Sequence, residues 1–195
     1  MSDNKSIILA SSSPYRKALL ARLNLPFICC SPDIDESPRI GETPEQLARR
    51  LSLQKAEAIY QHSSYALIIA SDQVAVLNGQ PLGKPETIAR AIEQLGNVSG
   101  NSVTFLTGLC LITPELAAPK LTIVPYTVHF RKLSSMEIER YINADQPLDC
   151  AGSFKWEQLG ISLFERMEGD DPTALEGLPL ITLSRWLRES GLMVP

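Results

Sequence analysis

The stretch IILASSSPYRKALL, residues 7–20, constrains the fold more than any other. Ile7 to Ala10 is too short for a helix and reads as a buried strand. Ser13 then suits a helix N-cap, Pro14 the first helical position, and Leu19, Leu20 and Leu23 an apolar helical face. A strand thus feeds directly into a helix. Thr43, Pro44 and Gln46 predict a capping box that opens a second helix, and Ser134 with Glu137 predicts another in SSMEIERYI.

The remaining segments extend the pattern. YALIIASDQVAVLNGQPLGKP reads as a strand, a polar interruption and a second strand, with Asn78-Gly79 as the turn. Residues 86–95 predict a helix that stops at Gly96. TFLTGLCLI and TIVPYTVHF read as long strands, the latter with Val124, Tyr126, Val128 and Phe130 on one face. CAGSFKWEQLGISLFERMEG mixes loop and strand, and GLPLITLSRWLRES closes with a helix. Strands and helices interleave without strict alternation, which defines an α/β class with a mixed twisted sheet and flanking helices. Loops at the strand ends are where such a fold places a site.

With 195 residues and 44% hydrophobic content, the chain suffices for one globular domain spanning 1–195. A net charge of -4 argues against a nucleic-acid binder, which needs a basic surface, but not against a small anion held by a few placed cations. Cys29, Cys30, Cys110 and Cys150 form no C-x-x-C pair, and His62 and His129 stand far apart, so a structural zinc site is not expected. Buried or partly buried free thiols are expected instead, and with them a reducing compartment. The opening MSDNKSIILA carries no long apolar core or small-residue cleavage site, and no apolar run is long enough to span a bilayer. The expectation is a cytoplasmic protein.

Arg16 and Lys17 occupy the first turn of a helix, where cations oppose the helix dipole. With Ser11, Ser12, Ser13 and the free N–H groups of the helix start, Arg16 suits an anion cradle; a plain cap with an exposed arginine explains the same residues. Lys55 interrupts an apolar row formed by Leu47, Leu51 and Ile59, and either snorkels to water or points its ammonium at an anion. Asp72 follows the apolar run LIIA, so its carboxylate is expected near that strand's C-terminal end. Glu36 sits in the loop DIDESP. Two such carboxylates suit a divalent ion, or a water-activating role for one of them; both also read as ordinary turn residues. In LGKP, Gly83 allows close backbone approach and Pro85 stiffens Lys84, which suits a phosphate clamp or a surface turn. Together, cations and two carboxylates at strand ends fit phosphoryl chemistry on a polyphosphate. No GxxxxGK[ST] loop is present, so a P-loop NTPase is excluded.

LASSSPYRKALL, DIDESP, the LSLQKA stretch, SDQV, NGQPLGKP and the AGSFKWEQLG–GLPL tail together resemble the Maf-like nucleotide pyrophosphatases, in the family's order and over nearly the whole chain. The resemblance implies two lobes around a central cleft, as in inosine-triphosphate-pyrophosphatase-like folds. It implies hydrolysis of a nucleoside triphosphate to the monophosphate and pyrophosphate with a divalent metal, Mg²⁺ or Mn²⁺. By position, Ser11, Arg16, Lys55 and Lys84 match phosphate-binding residues, Asp72 the catalytic proton acceptor, and Glu36 an acidic residue near the metal, so that Glu36 and Asp72 form the implied metal set. A homodimer is implied as well. Family members differ at three places, here Tyr15, Gln73 and Glu157, where the dTTP/UTP branch shows Arg, Thr and Gln. An aromatic residue, Gln and Glu resemble the 7-methyl-GTP branch. An aromatic face attracts a cationic methylated guanine by about 0.5–2 kcal/mol, and Glu157 suits the guanine N1–H and 2-amino group. Trp156 offers a second stacking surface. A pyrimidine or broad-range pyrophosphatase, and a nucleotide-sensing regulator of cell division, are the alternatives.

Overall fold

The computed structural model describes residues 6–195; residues 1–5, half of the stretch read above for a leader, lie outside the described residues. The strand expected over residues 7–10 is β1 (Ile7–Leu9), and it leads into α1 (Pro14–Ala21). There follow β2 (Ile28–Cys29), α2 (Pro44–Tyr60), β3 (Leu67–Leu77), β4 (Gln80–Leu82), α3 (Ile88–Val98), β5 (Ser102–Ile112), β6 (Lys120–Phe130), α4 (Ser135–Asp145), β7 (Phe164–Glu168) and α5 (Leu180–Glu189). Both capping boxes form: Thr43 with Gln46 at α2, Ser134 with Glu137 at α4.

Six strands follow the order β2-β1-β3-β5-β6-β7, with β4 paired to β3. β1 runs parallel to β2 and β3, while β3/β4 and β6/β7 are antiparallel, so the sheet is mixed as expected. By contacts the chain divides into two compact units. The first comprises the residues up to Gln73, Leu106–Val124 and Asp170–Pro195; the second comprises Val74–Phe105 and Pro125–Gly169.

In the first unit the sheet is covered on both faces, and the period of two sorts its side chains. Ile7, Leu9, Leu67, Ile69, Leu109 and Leu111 pack with Leu19 and Leu20 of α1 and Leu183 and Leu187 of α5. Ile8, Ala10, Ile68, Ala70, Cys110 and Ile112 pack with Ala56 and Ile59 of α2. Two-sided burial is why these strands read as continuous apolar runs rather than alternations. Each buried Leu or Ile contributes about 1.5–3 kcal/mol relative to leaving it exposed. The second unit centres on Phe105, Phe130, Phe154 and Phe164, four edge-to-face ring pairs at centroid separations of 5.0–5.5 Å.

Several expectations are corrected. β3 is not interrupted at SDQ: it runs eleven residues, because the polar groups of Ser71 and Asp72 find partners inside the fold. The third helix passes through Gly96 and ends at Val98, followed by Gly100 in the left-handed region at φ +69°. On β6, Tyr126, Val128 and Phe130 are buried as expected, while Val124 is only half-buried. Cys29 and Cys30 are exposed rather than buried, since β2 is a two-residue strand at the sheet edge. Among the described residues no helix is long and apolar enough to cross a membrane.

Candidate active site

The centre lies in the first unit, at the point where β3 turns from apolar to polar. Ser71 and Asp72 point to opposite faces of the strand. Ser71 Oγ reaches the α5 side, 2.6 Å from Gly108 O and 2.8 Å from Gly177 O. Asp72 faces α2, where Lys55 Nζ donates to its Oδ1 at 2.6 Å. Asp72 is therefore placed in mid-strand, not at the strand's C-terminal end as expected. Lys55 has 7% of its side chain exposed, so it does not snorkel to water. Its ammonium turns inward and also meets Glu36 Oε1 at 3.0 Å. One cation thus gathers the two carboxylates singled out in the sequence.

Close approach of α2 to the sheet makes this contact. Ser52 is fully buried on the same helical stripe as Lys55; its hydroxyl donates to Ala48 O at 2.7 Å and accepts the Asp72 backbone N–H at 2.9 Å. On β5, Gly108 faces this helix. A Cβ there would lie 2.6 Å from Ala48 O and closer still to Ser52 Oγ, so only glycine lets α2 sit this deep.

Arg16 is half-buried at the first turn of α1, and its Nε donates to Gly177 O at 2.9 Å. The exposed-arginine reading therefore fails. Burial pulls the guanidinium below its ordinary pKa, while Asp72 and then Glu36 pull it back up. Those carboxylates supply part of the negative charge that the helix start lacks. Ser13 caps α1 by accepting from Arg16 N–H, and Ser11 Oγ, on a buried residue, accepts from Ser13 N–H at 3.1 Å. The Gly177 carbonyl is held by a braced turn: buried Asp171 accepts from Thr173 N–H at 3.0 Å and Ile181 N–H at 2.8 Å.

Burial pushes the Asp72 carboxyl above its ordinary pKa, against the pull of Lys55 and then Arg16. A carboxylate destabilised by burial is a stronger base than one in water, and two neighbouring cations keep its charged form accessible. The arrangement can take a proton from water beside an anionic group.

The other predicted residues distribute as follows. Tyr15 is half-buried next to Arg16 on α1. Gln73 turns its amide N–H groups inward to Ala174 O at 2.7 Å, Thr107 Oγ1 at 3.0 Å and Leu175 O at 3.2 Å, so its donors serve the scaffold and only its carbonyl is left for a base or sugar. Lys84 and Glu157 belong to the second unit and are exposed; Trp156 there is half-buried, its indole N–H buried without a partner among the described residues. A Cβ on Gly83 would meet nothing within 4 Å among the described residues. Ser52, Ser71, Asp171 and Gly108 went unremarked in the sequence. Ser52 alone carried a usable signal: a second polar residue on the apolar stripe of α2, one turn before Lys55.

The Maf-like protein family model matches residues 6–190. The chain belongs to the Maf family. Similar members include the 7-methyl-GTP pyrophosphatase of Pseudomonas aeruginosa, 58% identical over 97% of this chain and 98% of that one. The 7-methyl-GTP pyrophosphatase of Pseudomonas savastanoi pv. phaseolicola is also 58% identical, covering 97% and 99%. That of Nitrosococcus oceani is 51% identical, covering 97% and 95%. Among solved structures, the Staphylococcus aureus Ham1 protein covers 95% of this Maf chain and 100% of its own at TM-score 0.56 and 16% identity, a likeness of fold.

Proposed function

We propose that this Maf protein hydrolyses 7-methyl-GTP to 7-methyl-GMP and pyrophosphate. The observation that carries the reading is the buried Asp72 carboxylate, 2.6 Å from Lys55 and in the field of Arg16, in a chain 51–58% identical end to end to proteins named for that activity. Water attacks the α-phosphorus and the bond from that phosphorus to the bridging oxygen of the β-phosphate breaks. Asp72 takes the proton of the attacking water, and pyrophosphate leaves with the bridging oxygen. Arg16 and Lys55 bind the phosphates and stabilise charge growing on the leaving group. Ser11 and, by its motif, Lys84 complete the phosphate-binding set.

Glu36 and Asp72 fit a divalent metal. Both carboxylates lie beside the same cation, Lys55 Nζ, at 3.0 and 2.6 Å, which brings them into one neighbourhood. Among the described residues no group of three His, Cys, Asp or Glu side chains gathers. Two carboxylates are the donor set of an ion such as Mg²⁺ that completes its shell with substrate phosphates and water. Held by Glu36 and Asp72, such an ion would neutralise charge on the triphosphate.

Tyr15 and Glu157 are the residues proposed to select the methylated base, Tyr15 by its aromatic face and Glu157 by accepting from the guanine edge while neutralising the ring charge. Replacing Glu157 by Gln is expected to lower kcat/KM for 7-methyl-GTP about tenfold or more, the scale of one charge-assisted hydrogen bond, and to leave a neutral-base nucleotide nearly unaffected. Equal losses on both would remove this account of selectivity. Exposed Cys29 and Cys30 thiols favour the reducing cytoplasm as its compartment.

The reading is tested by pyrophosphate release from 7-methyl-GTP, GTP, dTTP, UTP and CTP with Mg²⁺. Preference for 7-methyl-GTP is the expected result. Preference for dTTP or UTP keeps the chemistry and discards the base selection; release from none of the five overturns the enzyme reading.

A further inference from the structure

Glu36 poses a problem of placement. It lies in the segment joining β2 to α2, where residues 30–39 adopt no regular structure and no residue from 30 to 43 is buried. The side chain of Glu36 is itself 56% exposed. An ion pair with so exposed a carboxylate is a weak tether, and the apolar residues nearby are at most half-buried, as at Ile34. The segment and α2 together line a cavity of about 360 Å³, with Ile34 and Pro38 on one side and Arg50 and Gln54 on the other.

What ties it down is one guanidinium. Arg50, on α2, donates from Nε to Glu42 Oε1 at 2.6 Å and from Nη2 to Glu42 Oε2 at 2.8 Å, a forked pair. The same Nη2 donates to the backbone carbonyl of Ser37 at 3.0 Å, and Nη1 to Gln54 Oε1 at 2.9 Å. Both partners of the ion pair are largely shielded, with 13% and 8% of their side chains exposed. The loop's own bonds add to this: Ser37 N–H donates to Asp35 Oδ1 at 2.9 Å and Arg39 N–H to Glu42 Oε2 at 3.0 Å. The ends are fixed elsewhere, by Cys30 N–H on Leu9 O and by the capping box at Thr43. Between those ends Arg50 is the bond from α2 to the residue next to Glu36. Its neighbour Arg49 is exposed, so the two arginines of ARRLSLQKA have different work.

We infer that Arg50 is a positioning residue: its fork fastens the loop to α2 at Ser37 and Glu42, and so sets Glu36 against Lys55. Arg50 and Lys55 stand on one helix, so the clamp and the cation it serves move together. The Arg50 hydrogen bonds, with a smaller pull from the Arg39 backbone N–H, draw the Glu42 carboxyl down to about 2. The clamp therefore stays charged at neutral pH and releases only as pH falls from the ordinary glutamate range toward that value. A lysine would keep the charge at position 50 but lose the fork.

The consequence for catalysis rests on the reading of Glu36 given under Proposed function, and the test separates the two. Arg50→Ala, Arg50→Lys, Glu42→Gln and Glu36→Gln are compared with the wild type by backbone hydrogen exchange without metal and by pyrophosphate release with Mg²⁺. In Arg50→Ala the Ser37 and Arg39 amides are expected to exchange faster while β3 and α2 stay protected. Its kcat/KM is expected to fall about a hundredfold, the scale of a misplaced reacting group. Arg50→Lys recovers little of either, and Glu42→Gln, a milder cut at the same fork, moves both in the same direction should Arg50→Ala fold poorly. Adding Arg50→Ala to Glu36→Gln is expected to cost little further activity, because the two act through one group. Unchanged loop exchange, or full additivity with Glu36→Gln, overturns the inference. If the wild type releases no pyrophosphate from any nucleotide, the proposed function falls, and the exchange data alone still decide whether Arg50 holds the loop.

Discussion

Asp72→Asn is expected to cut pyrophosphate release by about 10²–10⁴-fold, the contribution of a positioned general base. The variant should stay folded, because Glu36 remains 3.0 Å from the Lys55 ammonium and spares it isolation in the core. An amide also removes the cost of burying a carboxylate, the largest influence on the Asp72 pKa. The same influence can be read directly by a carboxyl NMR titration of metal-free protein. Asp72 is expected to titrate above the ordinary aspartate value, and Lys55→Met to raise it further, since Lys55 is the strongest of the opposing pulls. The sign for stability follows: a native pKa above the unfolded one means the folded state binds the proton more tightly. The charged carboxylate therefore opposes folding at neutral pH, and that opposition is relieved as pH falls through the raised value. Near-normal turnover by Asp72→Asn, or a downward shift in Lys55→Met, would falsify the role assigned to this residue.

Gly108→Ala is expected to be the most damaging single methyl group in the first unit. The new Cβ would lie 2.6 Å from Ala48 O, a backbone atom of α2 that cannot rotate away. The helix must lift from the sheet, at a cost of about 1–3 kcal/mol for overpacking, or several degrees in Tm. Lifting α2 also withdraws Ser52 from the Asp72 N–H and Lys55 from the Asp72 carboxylate, so activity should fall along with stability. Gly96→Ala is the control: it sits in α3 with open space around it and is expected to gain about 0.5–1 kcal/mol from helix propensity. A Gly108→Ala protein with wild-type melting temperature and turnover would show that α2 is not held by this close fit.

Legibility in the sequence followed the range of the interaction. The caps at Ser13, Thr43 and Ser134 were read correctly because each is a bond over three residues. The buried strands were read from unbroken apolar runs, and β6 from its alternation. The errors have one cause. SDQ looked like an interruption, and Gly96 like a stop, because each contradicts local propensity; at SDQ, partners distant in the chain carry the strand through. For Ser71 those partners are 37 and 106 residues away.

The candidate centre divides in the same way. Family motifs picked out Ser11, Arg16, Glu36, Lys55 and Asp72, residue types that phosphoryl chemistry requires, and the mixed α/β class followed from hydrophobic period and capping. Whether Lys55 snorkels or turns inward was undecidable from a helical pattern, since both choices place it on the same stripe. The depth of α2 on β5 settled it, and that depth depends on a glycine 53 residues further along. Likewise nothing near Arg16 announces Gly177, 161 residues away, or near Glu36 the fork of Arg50. A sequence specifies its local bonds through spacing along one element, whereas the partner of a buried charge is set by how several elements pack at once.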